Sequence, residues 1–363
     1  AGVRDPGDQL KVLAEKKIPV ILGSPYDTPL DEDAAYDEPY TLAARLNEAA
    51  KLGFKTAIVP RRLRKGEPWP KGIEVIEARS LRQALESACR GVDAVYHTAA
   101  KPPPWGAYRD YYRTNVTGTL NVIAACRRNK VSRLIHTSTP SVIFDGRDLE
   151  GVDESVPYPP RYTAHYPMTK AAAEKAVVMA GREDLATIVL RPHEIWGPED
   201  PHFVPRILAR AGRLRRIGNG RNRVDTTYID NAAEAHLLAA DALQANPDLS
   251  GRVYFISQGE PVPAWDMIDA ILNAAGLPPV KGQVSHGLAR TIGYILEKIF
   301  AWLHLPGEPP MTRFVADALA KAHWFNINAA RRELHYTPGV STAEGLGRLA
   351  AWLGALRLER SGR

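Results

Sequence analysis

Short apolar segments alternate with longer helix-prone segments along the first half of the chain. The apolar segments predict buried β-strands, because they are short, rich in Val and Ile, and bounded by turn-forming residues. We predict strands at 18–24, 56–59, 72–76, 92–97, 133–138, 186–191 and 253–257, and helices at 40–52, 80–90, 111–128 and 164–180. Strands that alternate with helices are typical of a parallel sheet with helices on both faces. The pattern therefore predicts an α/β fold with a doubly wound parallel sheet.

The alternation becomes less regular after Pro192. Residues 193–223 and 258–363 are richer in Pro, Trp and helix-prone sequence, which indicates a smaller, mostly helical domain. We predict an N-terminal extension at 1–17, a sheet domain at 18–192 that the chain rejoins at about 224–257, and a second domain at 193–363.

Composition narrows the class of protein. The 363 residues include 47 basic and 41 acidic side chains, with a net charge of +6. The basic residues form no long basic face, so we expect no nucleic-acid partner. Two cysteines, no secretory signal pattern and no apolar run long enough to span a bilayer predict a cytoplasmic protein without a transmembrane segment.

The pair Tyr166 and Lys170 is the first candidate for chemistry. Four residues apart on a helix, the two side chains share one face. Pro167 suits a first helical turn, where its missing N–H costs nothing. A phenol beside an ammonium suits proton transfer to a carbonyl oxygen, because a nearby positive charge lowers the pKa of the phenol. An ordinary helix start can carry the same pair by chance, so the surrounding motifs decide between the two interpretations.

Those motifs resemble a known family, the extended short-chain dehydrogenase/reductases in the 3β-hydroxysteroid dehydrogenase/isomerase branch. The similar segments are 97–100 (HTAA), 115–122 (NVTGTLNV), 137–142 (TSTPSV), 166–170 (YPMTK), 190–198 (LRPHEIWGP) and 225–231 (DTTYIDN). Within the branch, residues 137–142, 254–261 and 305–314 are most similar to the bacterial 2-alkyl-3-oxoalkanoate reductases of olefin biosynthesis. The resemblance covers roughly residues 56–350.

The resemblance implies a Rossmann-like fold, with a dinucleotide bound by the sheet domain and the substrate by the second domain. It also implies catalytic roles. Tyr166 would protonate the carbonyl oxygen, and Lys170 would hold the nicotinamide ribose and lower the pKa of Tyr166. Thr139 would hydrogen-bond the substrate oxygen, with Ser138 as the neighbouring alternative.

Further positions would contact the dinucleotide. Ala99 and Ala100 would let it approach closely, and Asn115 would lie beneath the nicotinamide or serve as a structural amide. The loop that carries Pro192, His193 and Ile195 would meet the carboxamide. We expect His97, His193 and His236 to be structural, hydrogen-bonded or packing residues. No His, Cys and Asp residues have metal-ligand spacing, so we predict no metal.

The first turn departs from the family pattern. A phosphate-binding turn should be rich in glycine and should open a helix. Residues 23–33 (GSPYDTPLDED) have one glycine, two prolines that lack N–H donors, and four acidic side chains that would repel a pyrophosphate. Residues 1–55 do not resemble the family. We therefore expect the fold to be kept and dinucleotide affinity to be weak.

These observations predict an NADPH-dependent ketoreductase, with NAD as the alternative coenzyme. Arg61 and Arg62 follow the second strand, where this fold places the adenosine ribose, so they could accept a 2′-phosphate. The predicted substrate is a small lipid-like molecule, a long-chain 2-alkyl-3-oxoalkanoate or a sterol. Apolar residues at helical spacing in 287–303 would mostly pack in the core and partly line an acyl pocket. A nucleotide-sugar epimerase or dehydratase, a non-catalytic relative with impaired cofactor binding, and a homodimeric assembly stay open alternatives.

Overall fold

A computed structural model describes residues 20–21, 42–51, 53–60 and 71–361. Its strands are β1 (Val20–Ile21), β2 (Thr56–Pro60), β3 (Glu74–Ala78), β4 (Ala94–His97), β5 (Arg133–Thr137), β6 (Leu149–Val152), β7 (Ala186–Pro192), β8 (Ile195–Trp196), β9 (Arg216–Ile217), β10 (Arg223–Val224), β11 (Thr227–Tyr228), β12 (Arg252–Ile256), β13 (Val262–Pro263), β14 (Gln283–Val284) and β15 (His323–Phe325). Its α-helices are α1 (Leu42–Lys51), α2 (Leu81–Ala88), α3 (Tyr108–Tyr111), α4 (Gly118–Asn129), α5 (His165–Glu183), α6 (Phe203–Arg210), α7 (Ile229–Ala245), α8 (Ala264–Ala274), α9 (His286–Leu303), α10 (Arg313–Ala320), α11 (Asn328–Glu333) and α12 (Thr342–Ser361).

The chain divides into two compact units. The first comprises residues 1–95 and 120–134, and the second comprises residues 96–119 and 135–363. β4 and β5 each begin in the first unit and end in the second. The domain limits predicted from the sequence, 18–192 and 193–363, follow a different criterion and stay a prediction.

The first unit contains a parallel three-stranded sheet in the order β1–β2–β3. β2 forms because Ala57, Ile58 and Val59 are apolar and fully buried. Leu46 of α1 and Phe54 pack with this strand. Of the predicted strand at 18–24, only Val20–Ile21 lies within the described residues, and the turn at 23–33 lies outside them.

A four-stranded sheet, to which the second unit contributes all of β7 and β12, has the order β12–β7–β5–β4. β7 is its best-defined strand, since its residues from Thr187 onward are buried and it pairs in parallel with β12 over five positions. β12 corresponds to the predicted strand at 253–257. The first sheet has the strand order of the 3-2-1 half of the 3-2-1-4-5-6 arrangement common in dinucleotide-binding folds. In the second sheet β4, β5 and β7 follow the 4-5-6 half, with β12 as one further strand. The described residues therefore form the predicted α/β fold of parallel sheets with helices.

Close backbone approach fixes α5 against β7 and β12. A Cβ at Gly181 would lie 2.2 Å from Oγ1 of Thr187 and 2.7 Å from the backbone nitrogen of Gly251. Thr187 also donates its hydroxyl proton to the carbonyl of Val177, 3.1 Å away. Only glycine at position 181 lets α5 approach this closely, and α5 is the helix that carries Tyr166 and Lys170.

The second unit also contains short strands that the sequence pattern does not predict. β6, β10, β13 and β15 form a four-stranded sheet in the order β13–β10–β15–β6. In this sheet His323 of β15 pairs with Val224 of β10. The sheet thereby joins residues about a hundred positions apart.

The expected core packing of residues 287–303 is wrong for most of the apolar side chains. α9 buries Ala289, Gly293 and Glu297, and it packs mainly on α10. Its large apolar side chains are exposed, namely Leu288, Ile292, Tyr294, Ile295, Ile299, Trp302 and Leu303. They are exposed because small residues line the face that packs on α10, which leaves the bulky ones on the other side. None of the helices in the described ranges is long and apolar enough to cross a membrane.

Candidate active site

The N-terminal turn of α5 positions the predicted tyrosine and lysine. α5 begins at His165, and Pro167 lies in its first turn, where no helical partner is needed for an N–H. Lys170, one turn after Tyr166, is buried, and its Nζ donates to the carbonyl oxygen of Thr137, 2.7 Å away. The lysine ammonium is therefore fixed at the end of β5.

The two candidate hydroxyls follow β5 directly. Thr139 caps a short 3₁₀-helix (Pro140–Ile143) by accepting from the backbone N–H of Ser141, 3.2 Å away, and donates its own hydroxyl proton to Oγ of Ser141, also at 3.2 Å. Its side chain lies close enough to Tyr166 to affect the pKa of the phenol. The hydroxyl of Ser138 is buried and has no hydrogen-bond partner among the described residues. The structure thus brings Thr139, Tyr166 and Lys170 together and gives the two neighbouring hydroxyls different environments.

The expected lowering of the tyrosine pKa by the lysine is wrong for this structure. Burial raises the pKa of Tyr166 to about 12, and the neighbouring Thr139 hydroxyl opposes that rise only in part. Burial likewise lowers the pKa of Lys170 to about 8, against the opposing charge of Glu174. Tyr166 is therefore held as a protonated phenol, the form that can donate a proton.

Asn115 serves the structural role that the sequence analysis left open. It is buried in a π-helical turn (Tyr112–Thr117), a distortion that is frequent at functional sites. Its Oδ1 accepts from the backbone N–H of Lys101 at 2.7 Å, and its Nδ2 donates to Oγ1 of Thr169 at 3.0 Å. The amide therefore fastens the segment after β4 to α5, next to Lys170.

The nicotinamide end of a dinucleotide fits the residues that the structure describes. Ala99, which is exposed, and Ala100, which is half-buried, lie just beyond β4. Because each has only a methyl side chain, both leave room for a ligand. The buried hydroxyl of Ser138 lacks a partner, and the Lys170 ammonium has N–H donors beyond the one used at Thr137. These donors match the hydroxyl groups of a ribose. Arg61 and Arg62, predicted for the adenosine end, lie outside the described residues.

The loop after β7 holds Pro192, His193 and Ile195. Pro192 ends β7 opposite Ile256, and Ile195 begins β8, which pairs with β11. Nδ1 of His193 lies 2.7 Å from Oδ1 of Asp225. Burial lowers the pKa of His193, but the hydrogen bond and charge of Asp225 outweigh it and hold this pKa above its usual range.

Sequence reasoning missed the partners of His193. Nε2 of His193 lies 3.0 Å from Nδ1 of His323, and one ligand atom from each of His193, Glu194 and His323 lies within 4.8 Å of the others. His323 is 130 positions away, so no local spacing could have indicated the cluster. Asp225 opens the segment 225–231, whose similarity to the family was the one signal available.

A buried ion pair holds α5 against β7 next to the candidate site. Arg191 of β7 donates twice to Glu174 of α5, at 2.6 and 3.2 Å, and both side chains are almost fully buried. Tyr158 donates its hydroxyl proton to the same carboxylate at 2.6 Å. These bonds fix α5 to the sheet one turn after Lys170.

Two other histidines near Lys170, His97, which is buried, and His236, which is half-buried, have lowered pKa values and are neutral. Nε2 of His97 lies 2.8 Å from the hydroxyl of Thr119, and Nε2 of His236 lies 2.7 Å from that of Thr137. Burial, with the charge of Lys170 in addition, lowers the pKa of His97 to about 3. Both histidines have the hydrogen-bonded environments expected of structural residues.

Comparison with known proteins agrees with this geometry. The model of the 3-beta hydroxysteroid dehydrogenase/isomerase family matches residues 78–284. The 2-alkyl-3-oxoalkanoate reductase of Stenotrophomonas maltophilia is 49% identical over 273 residues, which cover 74% of this chain and 83% of that protein. The enzyme of the same name from Shewanella oneidensis is 46% identical and covers 75% and 73%. The decarboxylating sterol-4-alpha-carboxylate 3-dehydrogenase of Schizosaccharomyces pombe is 39% identical and covers 71% and 77%.

Solved structures establish the fold independently. The UDP-glucuronic acid 4-epimerase of Bacillus cereus in complex with NAD superposes with a TM-score of 0.61, at 20% identity, over 93% of this chain and 99% of that one. A UDP-galactose 4-epimerase gives 0.58 at 17% identity, over 93% and 99%. At such low identity these likenesses show a Rossmann fold and carry no information on the substrate. The named relatives and the family match together show that this chain belongs to the 3-beta hydroxysteroid dehydrogenase/isomerase family and is an NAD(P)-dependent oxidoreductase that acts on a 3-keto or 3-hydroxy group.

Proposed function

We propose that this protein reduces the 3-keto group of a long-chain 2-alkyl-3-oxoalkanoate with NADPH, or oxidises the corresponding 3-hydroxy acid in reverse. The observation that carries the proposal is the trio of Thr139, Tyr166 and Lys170. This trio lies in a chain that is nearly half identical to reductases named for that substrate.

The trio supplies acid catalysis at a carbonyl oxygen. When bound, the reduced coenzyme supplies hydride to the carbonyl carbon. Tyr166, held protonated by burial, donates the proton that the carbonyl oxygen then needs. Thr139, close to Tyr166, orients the same oxygen, and Lys170 carries the positive charge beside them.

Two features favour a lipid over a sugar nucleotide. The named relatives act on alkyl or sterol substrates. In addition, α9 exposes a face of large apolar side chains, among them Ile295, half exposed, and Trp302, 81% exposed. An exposed apolar face of this kind is a surface that a hydrocarbon chain would cover.

A comparison of substrates tests the proposal. Purified protein and NADP⁺ are given a long-chain 2-alkyl-3-hydroxyalkanoic acid, a short-chain homologue or a UDP-sugar. Oxidation of the acids is followed by the absorbance of the reduced coenzyme. Conversion of the UDP-sugar is followed by chromatography of the sugar nucleotides, because epimerisation leaves no net reduced coenzyme. We expect kcat/KM to be highest for the long-chain acid. Conversion of the UDP-sugar without oxidation of either acid would refute the proposal in favour of the epimerase alternative.

NADPH is the proposed coenzyme because Arg61 and Arg62 directly follow β2 in the chain. In this fold an arginine near that position accommodates the 2′-phosphate of NADP. We expect kcat/KM with NADPH to exceed that with NADH, and the preference to fall in Arg61→Ala and Arg62→Ala. Equal use of the two coenzymes by the unmodified protein would remove this part of the proposal.

A further inference from the structure

The cluster of His193, Glu194 and His323 has the donor set of a divalent-metal site. Two imidazole nitrogens and a carboxylate form a known three-ligand set for zinc, with a fourth position left for water. The described residues offer these three groups together, with one ligand atom of each within 4.8 Å of the others.

Hydrogen bonds fix the protonation of both imidazoles. Nδ1 of His193 must carry a proton, because its partner at 2.7 Å is the carboxylate of Asp225. Nε2 of His323 must carry a proton too, because its partner at 2.6 Å is the carbonyl oxygen of Ala318. In two neutral rings, the nitrogens that remain are therefore acceptors, and these two nitrogens face each other at 3.0 Å.

Two facing lone pairs at this distance repel unless a cation lies between them. A zinc ion with nitrogen ligands at ~2.0–2.1 Å holds two such nitrogens about 3.3 Å apart in tetrahedral geometry, close to the observed separation. The competing explanation is a second proton on His193, whose pKa is held above its usual range by Asp225. That proton would satisfy the same lone pairs through a hydrogen bond from Nε2 of His193 to Nδ1 of His323.

The surroundings match those of a metal site. Metal-bound histidines usually donate their other N–H to a carboxylate or a backbone carbonyl, as His193 does to Asp225 and His323 does to Ala318. Glu194 has a φ of +40°, a left-handed conformation that residues other than glycine seldom adopt and that often marks functional sites. A small pocket lined by Glu194, His323 and apolar side chains such as Ile268 and Leu319 lies beside the cluster.

We propose that His193, Glu194 and His323 bind one divalent ion of the zinc type, through Nε2, a carboxylate oxygen and Nδ1 respectively. The ion joins the loop after β7 to β15, which are otherwise 130 positions apart in the chain. Asp225 and Ala318 are the outer partners that orient the two imidazoles.

The test is titration of metal-free protein with zinc by calorimetry and with cobalt by visible absorption. We expect one ion per chain, tetrahedral cobalt bands and a higher melting temperature with the ion. Loss of an outer partner typically weakens a metal site ~10–100-fold, so Glu194→Gln and His323→Gln, which remove direct ligands, should each weaken binding at least that much.

Glu199→Gln is the matched control. Glu199 also has a positive φ, +62°, and lies in the next connection, between β8 and α6, outside the cluster. It should leave the affinity unchanged. If His323→Gln fails to fold, the affinity of Glu194→Gln for zinc still tests the proposal. Glu194 is only half-buried, so this substitution should leave the fold intact. Absence of stoichiometric binding, or equal affinity in Glu194→Gln, Glu199→Gln and the unmodified protein, would overturn the proposal and leave the shared proton as the explanation.

Discussion

Two adjacent hydroxyls after β5 differ in environment although they are one residue apart. Thr139 contacts Tyr166 and the 3₁₀-helix that follows, whereas Ser138 donates its backbone N–H to the carbonyl of Leu190 at 2.6 Å and leaves its side chain without a partner in the described residues. The sequence leaves the choice between them open, because both have the right chemistry at the right place. Only the contact with Tyr166 favours Thr139.

Substitution of the two hydroxyls should therefore have unequal effects. Removal of a donor that stabilises a developing oxyanion costs ~10²–10³-fold in kcat, so we expect a loss of this size in Thr139→Ala and substantial recovery in Thr139→Ser. Ser138→Ala should keep kcat within a few-fold of the unmodified protein, and any loss should appear as a higher KM for the coenzyme. Stability should not fall, because no hydrogen bond among the described residues is broken. The measurement is steady-state turnover with a 3-hydroxy acid; the reverse ranking would assign the role to Ser138.

Lys170 should also give the fold a specific pH dependence. Burial lowers the pKa of its amine to about 8 in the folded protein, from an ordinary value of 10.5. Between these pH values the unfolded chain binds more protons at this residue, so the contribution of Lys170 to the free energy of unfolding rises with pH. Below about pH 8 the buried charge destabilises the fold in full.

Urea unfolding at several pH values measures this effect. We expect Lys170→Met to be most stabilised relative to the unmodified protein near pH 7, and the difference to shrink towards pH 10.5 by up to ~1.4 kcal/mol per pH unit. Lys175→Met, exposed on the same helix, is the control and should show no such trend. A difference for Lys170→Met that does not vary with pH would contradict the assignment.

At the scale of elements, long segments with a clear period are predictable and short strands are not. β2, β5, β7 and α5 arise from local runs of apolar or alanine-rich sequence, and their positions agree with the sequence within a few residues. β6, β10, β13 and β15 have two to four residues each and exist through tertiary pairing, which no local pattern encodes. The same limit hid the His193, Glu194 and His323 cluster, since one of its members is on β15.

The direction of the apolar face of α9 was also not predictable. Its period is helical, but period alone does not say whether the bulky face or the small-residue face packs on a neighbour. Gly293 determines the outcome, because a Cβ there would lie 2.6 Å from the carbonyl carbon of Thr312 and 2.8 Å from the nitrogen of Arg313. α9 and α10 therefore pack through the small face.

This packing makes a paired prediction about two glycines of one helix. Gly293→Ala should destabilise the protein by ~1–3 kcal/mol, the usual cost of overpacking a rigid contact. Gly287→Ala should be neutral or stabilising by up to ~1 kcal/mol, because a Cβ there meets nothing within 4 Å and alanine favours helix. The free energy of unfolding in urea measures both. Equal effects of the two changes would show that the contact between α9 and α10 is not tight.

For the whole molecule, the N-terminal sequence predicts weak dinucleotide binding, whereas the candidate catalytic residues predict an active oxidoreductase. The segment at 23–33 lacks the glycines and carries the acids that weaken phosphate binding, whereas the trio of Thr139, Tyr166 and Lys170 is complete. We expect the protein to bind NADPH more weakly than micromolar, and replacement of residues 1–55 by a strand, a glycine-rich turn and a helix to tighten binding. Calorimetry on the unmodified protein checks this, and micromolar or tighter binding would show that other backbone amides hold the phosphates.

The central claim is that Tyr166 is the acid of an oxidoreductase acting at a 3-keto or 3-hydroxy group. The most direct measurement compares Tyr166→Phe with the unmodified protein in the oxidation of a long-chain 2-alkyl-3-hydroxyalkanoic acid by NADP⁺, at saturating concentrations of both. Tyrosine and phenylalanine differ by one hydroxyl, so the melting temperature should change little while kcat falls at least ~10²-fold, the usual loss when acid–base catalysis is removed. Turnover of the variant close to that of the unmodified protein would contradict the account.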